Sequence, residues 1–195
     1  MRRAMQVIQG FGPQESNATY DYGYDHPYFG QIFLASALSL VNYPNSINPT
    51  VSPESIEMLY LVPRILMGVL AVIDTFLVYM IADTRYNRKV AFVSATLFAV
   101  LPCTWFLSRI ILDSIALPFL LLSILFAIYY AKSKSSNHID GESYLTPDAK
   151  KHRYILLLGS GIFLGLAIFT KLPIFTFIPI IIFILLHKNI VNSNS

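Results

Sequence analysis

Long apolar runs separated by short polar turns dominate the chain from residue 59 onward. The runs at 59–82, 90–107, 114–131 and 154–170 each come close to the roughly 20 residues, with a range of about 17–25, that a helix needs to cross a bilayer. A fifth run, 173–186, is short for a span unless it continues into His187 and the residues after it. In the fourth run, Gly159, Gly161 and Gly165 supply small faces for close helix approach. Ahead of the first run, Ile32, Phe33, Leu34, Leu38, Leu40 and Val41 make a helical apolar stretch within 28–43. That stretch is too short to cross comfortably, and Tyr28 and Tyr43 flank it as aromatic anchors, so it reads as a helix in the membrane interface. An additional span is the competing reading. The expected fold class is all-α, a polytopic transmembrane helix bundle of about five spans with an interfacial helix in the first outer loop. Residues 1–58 form the outer region, 59–187 the bundle with a cytoplasmic loop at 132–153, and 188–195 the tail.

Charge gives the bundle an orientation. Arg85, Arg88 and Lys89 lie between the first two runs, while Lys132, Lys134, Lys150, Lys151 and Arg153 lie between the third and fourth. Lys188 follows the fifth. Alternating spans put all nine of these, out of 14 basic residues, on one side, which the positive-inside rule makes cytoplasmic. The N-terminal region, the 108–113 turn and Lys171 then face outside. Composition agrees with a membrane protein: 55% of residues are hydrophobic and 13% charged, against about 25% charged in soluble domains. Cys103 is the single cysteine, so a disulfide scaffold is excluded. A net charge of +3, scattered along the chain, gives no reason to expect nucleic acid. The start of the chain lacks the apolar core of a signal peptide.

The candidate chemistry gathers at the outer membrane boundary. Asp21, Asp25 and His26 stand among Tyr20, Tyr22, Tyr24 and Tyr28, a mixture that can bind a sugar by hydrogen bonds and ring stacking. The same segment also reads as a turn, with Pro27 in the first turn of the helix that follows. Arg109 and Asp113 flank a short outer turn, where Arg109 can hold a phosphate and Asp113 can polarise a hydroxyl. Asp113 equally suits the start of the next helix, where an acid gains about 0.3–1 kcal/mol from the helix dipole. Lys171 sits between two apolar segments, and Arg64 near the outer end of the first span. Each can snorkel to the surface or bind a lipid phosphate. Asp74 falls in the middle of the first span, a position that marks function by default, although a bond through Thr75 or Thr96 explains it too. Asn17-Ala18-Thr19 matches a glycosylation sequon. No nucleotide-binding glycine pattern occurs, which argues against a soluble nucleotide donor. The histidines lack metal-ligand spacing and are assigned no metal, while the sequence leaves a divalent-metal requirement open.

In order along the chain, several of these pieces resemble the protein O-mannosyltransferases, members of the wider GT-C group of membrane glycosyltransferases. Asp25-His26-Pro27-Tyr28-Phe29-Gly30-Gln31 is similar to that family's His-Pro-Pro-x-Gly-Lys segment. Val62-Pro63-Arg64-Ile65-Leu66-Met67-Gly68-Val69 resembles the start of its next conserved span. Ser108-Arg109 with Asp113 resembles the second outer motif, and Gly165-Leu166-Ala167 with Thr170-Lys171 the Gly-Leu-Ala-x-x-Thr-Lys block. The resemblance implies transfer of a sugar, often mannose, from a polyprenyl or dolichyl phosphate to a protein, lipid or glycan acceptor on the outer face. It implies Asp113 as a catalytic acidic residue, and Arg64, Arg109 and Lys171 as the charge network for the lipid phosphate. His26 would belong to the loop that shapes the pocket. Tyr28 stands where the family has its second proline, and Gln31 where it has lysine. Residue 1 aligns inside the family's first outer loop, so the resemblance implies a piece of a longer transferase that lacks the first acidic motif. A non-catalytic membrane module, either a lipid-binding subunit or part of a transporter, is the rival expectation.

Overall fold

The computed structural model describes residues 2–10, 27–41, 53–101, 112–136 and 147–186. They form helices α1 (Arg2–Ile8), α2 (Phe29–Leu40), α3 (Pro53–Arg85), α4 (Arg88–Val100), α5 (Leu112–Ser136), α6 (Pro147–Thr170) and α7 (Ile178–Leu186), with a 3-10 helix at Leu172–Phe177 leading into α7. No strand occurs among the described residues, and the chain is a polytopic helical bundle as expected. Three stretches are long and apolar enough to cross a membrane, Leu61–Arg85, Leu112–Ser133 and Ala149–Thr170.

Helix ends differ from the expected ones for local reasons. α4 stops at Val100, and Leu101 leaves the helix at φ −58°, ψ 134°. Pro102 explains the stop, because the ring of a proline pushes the preceding residue out of the α region. The rest of the expected second run lies outside the described residues. α5 runs on to Ser136 and α6 begins at Pro147, so the helices take up much of the segment expected to be a loop. Proline suits the first helical position, where its missing N–H leaves nothing unsatisfied. The fifth run is broken rather than continuous: six residues of 3-10 helix precede nine of α-helix. α2 is 12 residues long, about 18 Å at a rise of 1.5 Å per residue, which falls short of the hydrocarbon thickness of about 30 Å. It starts at Phe29, so Pro27 stands ahead of the first turn and not within it.

The bundle is built on pairing between neighbours in sequence. α3 and α4 form a hairpin through Tyr86 and Asn87, and the Asn87 side chain accepts from the Val90 N–H at 3.0 Å. α5 and α6 form a second pair, the most extensive among the described helices. α3 and α5 begin at the same end, because Val62, Leu66, Met67 and Leu70 pack with Leu112, Ile115 and Phe119. α1 and α2 close that end: Ala4, Leu34, Ala35 and Leu38 complete the same apolar cluster. A second cluster joins α5 and α6 to the 3-10 helix and α7 through Ala116, Leu120, Ala127, Ala167, Ile174 and Ile181.

Outward faces are as apolar as the interior. Ile65, Val69, Val72 and Phe76 on α3 are exposed, as are Phe92, Val93 and Leu97 on α4, and Leu158 and Ile162 on α6. In water such a surface would aggregate; in a bilayer it is the lipid-facing surface. Lipid tails are as apolar as leucine, so burial alone does not hold these helices together, and packing and interhelical hydrogen bonds must. One such set of bonds is present between α5 and α6. The Ser123 hydroxyl donates to the Ser160 carbonyl at 2.8 Å, and the Ser160 hydroxyl donates back to the Ser123 carbonyl at 3.0 Å. Both residues are fully buried. Phe126 lies against Gly159, whose added Cβ would be 3.5 Å from the ring, while Gly161 and Gly165 face open space. Of the three glycines expected to allow close approach, only Gly159 does so here. Replacing Ser123 or Ser160 by alanine should each cost about 0.6–1.7 kcal/mol, the range of such bonds in membranes. The double variant should cost less than the sum, because the two hydroxyls also meet each other at 3.3 Å and either substitution alone removes that contact. Unfolding by denaturing detergent measures this; full additivity would show two independent bonds.

Candidate functional site

The site lies at the end of the bundle where α5 begins and α6 finishes. α6 ends at Thr170, whose hydroxyl donates to the Leu166 carbonyl at 2.9 Å. Lys171 then turns extended at φ −150°, ψ 115°, and Pro173 sits in the first turn of the 3-10 helix that follows. This break frees the Lys171 side chain to cross to the neighbouring helix, where its ammonium donates to Oδ1 of Asp113 in the first turn of α5. The helix ends favour this arrangement. The N-terminal turn of a helix carries partial positive charge that stabilises an anion, and the C-terminal turn partial negative charge that stabilises a cation.

The ion pair is accessible. Lys171 and Asp113 keep 27% and 33% of their side-chain surface exposed. An ammonium has three donors and a carboxylate about four acceptor positions, so each group retains capacity for a ligand after pairing with the other.

α2 brings the third element. Gly30, one residue into the helix, packs so closely that a Cβ there would stand 2.6 Å from Leu112 Cδ2 and 2.8 Å from Thr170 Cγ2. Leu112 and Thr170 immediately precede Asp113 and Lys171 in the chain. Pro27 and Gln31 are buried beside Gly30. The Gln31 carboxamide, oriented so that its NH2 meets acceptors, donates to the Pro27 and Tyr28 carbonyls at 3.3 and 3.2 Å. A run of aromatic rings fixes α2 in place. Phe119 of α5 meets Phe29 edge-on at 5.4 Å and Phe33 at 5.6 Å, and stacks on Phe163 of α6 at 6.4 Å. Edge-to-face pairs of this kind are each worth about 0.5–1.5 kcal/mol beyond the area they bury.

Of the site residues expected from the sequence, the structure brings Asp113 and Lys171 together. Arg64 lies on α3, one turn before Met67 and so near the same end, with its side chain exposed and in no ion pair among the described residues. His26 and Arg109 lie outside the described residues, as do Asp21, Asp25 and the Asn17 sequon. Asp74 is 3% exposed on the inward stripe of α3 that also carries Met67, Leu70 and Leu77. Neither expected threonine supports it: the Thr75 hydroxyl donates to Ala71 of its own helix at 2.9 Å, and Thr96 is exposed. Asp74 Oδ1 has no hydrogen-bond partner. Among the described residues no group of three or more His, Cys, Asp or Glu gathers as a metal site. Sequence reasoning did not find the role of Gly30. Its signals were its place as the glycine of the segment similar to His-Pro-Pro-x-Gly-Lys and its position at the start of an apolar helix, where a close neighbour is a reason to do without a side chain.

Membrane-length helices with a solvent-reaching ion pair at one end define an integral membrane protein with a candidate site at the bilayer boundary. The family model described as dolichyl-phosphate-mannose-protein mannosyltransferase matches residues 17–192, and the chain belongs to this family of membrane mannosyltransferases. Comparison with curated proteins and with solved structures gives no match.

Proposed function

We propose that the protein transfers mannose from a dolichyl- or polyprenyl-phosphate donor to a hydroxyl of a protein acceptor at the extracytoplasmic or luminal face, in the manner of a GT-C glycosyltransferase. Support comes above all from one observation: the Asp113–Lys171 pair joins two positions far apart in sequence at the junction with Gly30. Three of the sequence blocks that resemble the family thereby meet at one end of the bundle. In the reaction the acceptor oxygen bonds to the sugar's anomeric carbon, while the bond from that carbon to the phosphate oxygen breaks. The lipid phosphate leaves with the electron pair, and the hydroxyl proton passes to a base. Lys171, with Arg64 and Arg109, balances the charge of the departing phosphate. Asp113 accepts a hydrogen bond from the acceptor hydroxyl and polarises it, and His26 shapes the pocket. A site at the membrane boundary suits this substrate, whose polyprenyl tail belongs in lipid and whose sugar phosphate belongs near water and cations.

Lys171 tests the phosphate role. Lys171→Gln should raise the KM for the lipid-phosphate donor by about 10-fold or more, the value of one charge-assisted contact of about 1.5–3 kcal/mol. Lys171→Arg should retain most of the affinity. Radiolabelled mannose transfer in membranes carrying the protein, at varied donor concentration, measures both. An unchanged donor KM in Lys171→Gln would remove Lys171 from the phosphate network.

A further inference from the structure

At the opposite end of the α5–α6 pair, Tyr130, Lys150, Arg153, Tyr154 and Leu157 line a cavity of about 180 Å³, room for roughly six water molecules at about 30 Å³ each. Asp113 is separated from Tyr130, and Thr170 from Arg153, by about 25 Å of helix at 1.5 Å per residue. This cavity therefore sits at the other membrane boundary, distinct from the Asp113–Lys171 site.

Its chemistry is that of an anion site. The Arg153 guanidinium lies over the Tyr130 ring at 5.3 Å, which holds its plane in place. Arg153 Nε is buried and has no hydrogen-bond partner. Lys150 adds a second cation on the same side of α6, one turn earlier. Among the described residues no carboxylate pairs with either cation, and the Lys171–Asp113 ion pair lies at the other end of the bundle. Two cations that no carboxylate neutralises among the described residues, one with its plane held by the Tyr130 ring, suit an oxygen anion such as phosphate. The walls favour a lipid source for it. Leu157 gives the cavity an apolar lining and, like the neighbouring Ile155 and Leu158, is exposed on the apolar outer surface of α6. A ligand in the cavity would thus have an anionic head among Lys150 and Arg153 and an apolar path directly beside it.

We propose that this cavity binds the phosphate of an anionic phospholipid headgroup, in the leaflet opposite the Asp113–Lys171 site. Each basic side chain near such a headgroup contributes about 1 kcal/mol, or roughly fivefold in affinity, so the pair should enrich the lipid about 25-fold. The test places the full chain in phosphatidylcholine nanodiscs containing phosphatidylglycerol and measures retained lipid by native mass spectrometry after detergent release. The wild-type chain and Lys151→Gln, an exposed neighbouring lysine outside the cavity, should retain phosphatidylglycerol over phosphatidylcholine. Arg153→Gln with Lys150→Gln should lose the preference, and Arg153→Lys, which keeps the charge, should retain most of it. Where the arginine variant fails to fold, Lys150→Gln alone decides, since that side chain is exposed: about fivefold loss supports the site and unchanged retention overturns it. Equal retention of the two lipids by the wild-type chain overturns it too. Displacement of phosphatidylglycerol by millimolar inorganic phosphate would show a free-phosphate site and overturn the lipid assignment.

Discussion

Asp113→Asn should lower mannose transfer by at least about 100-fold, the low end of what a positioned acid or base supplies, while the protein still inserts and folds. Asparagine keeps the shape of the side chain and can still accept a hydrogen bond from Lys171. It carries no charge, so it polarises an acceptor hydroxyl far less and leaves the Lys171 cation unbalanced. Loss should fall on kcat more than on the donor KM, because the proposed contact is to the acceptor hydroxyl as it attacks. A purely structural ion pair predicts something else. In that case exchanging the charges, Asp113→Lys with Lys171→Asp, restores both fold and turnover. Under the proposed function the exchange restores much of the resistance to detergent unfolding, short of the wild type because each charge then meets the less favourable helix end, but leaves transfer as low as in Asp113→Asn. Turnover recovered by the exchange would reduce the pair to a helix clamp.

The residues of this site and their pairing differed in how plainly the sequence announced them. Asp113 and Lys171 were legible as candidates because charges are rare in this chain and each sits at the edge of an apolar run, where a helix cap and a snorkelling anchor explain them as well as a ligand does. Their pairing was not legible. It depends on α6 ending at Thr170, on the extended turn at Lys171 and on the antiparallel fit of α5 against α6, none of which a charge count contains. Span positions followed from apolar length, whereas helix ends did not. Pro102 stops α4 through its effect on Leu101, and Pro147 starts α6 well ahead of its apolar portion. The Ser123–Ser160 bonds were hidden for a different reason. A serine in an apolar run looks the same whether it bonds to its own helix, as Thr75 and Thr170 do, or across to another.

Gly30→Ala should destabilise the fold by about 1–3 kcal/mol, the usual cost of overpacking, and lower transfer by about 10- to 100-fold. The added methyl meets two atoms that yield very differently. Leu112 Cδ2 is the end of a half-buried, flexible side chain that can swing aside. Thr170 Cγ2 belongs to a fully buried, β-branched residue whose hydroxyl is tied to Leu166, so it cannot. α2 must therefore lift away from the end of α6, straining the Phe29 and Phe33 contacts to Phe119. The residues it pushes on are the immediate neighbours of Asp113 and Lys171, and a displacement of about 1 Å in a reacting group can cost about 100-fold. The clash names its own remedy. Thr170→Ser removes Cγ2 and keeps the hydroxyl, so Gly30→Ala with Thr170→Ser should recover most of the lost stability and transfer. Gly68→Ala is the control, because an added Cβ at Gly68 meets nothing within 4 Å. There alanine should be neutral or stabilising by up to about 1 kcal/mol, since glycine is the poorer helix former. Equal behaviour of the two glycine variants would mean that α2 does not rest on the junction of α5 and α6 in the membrane.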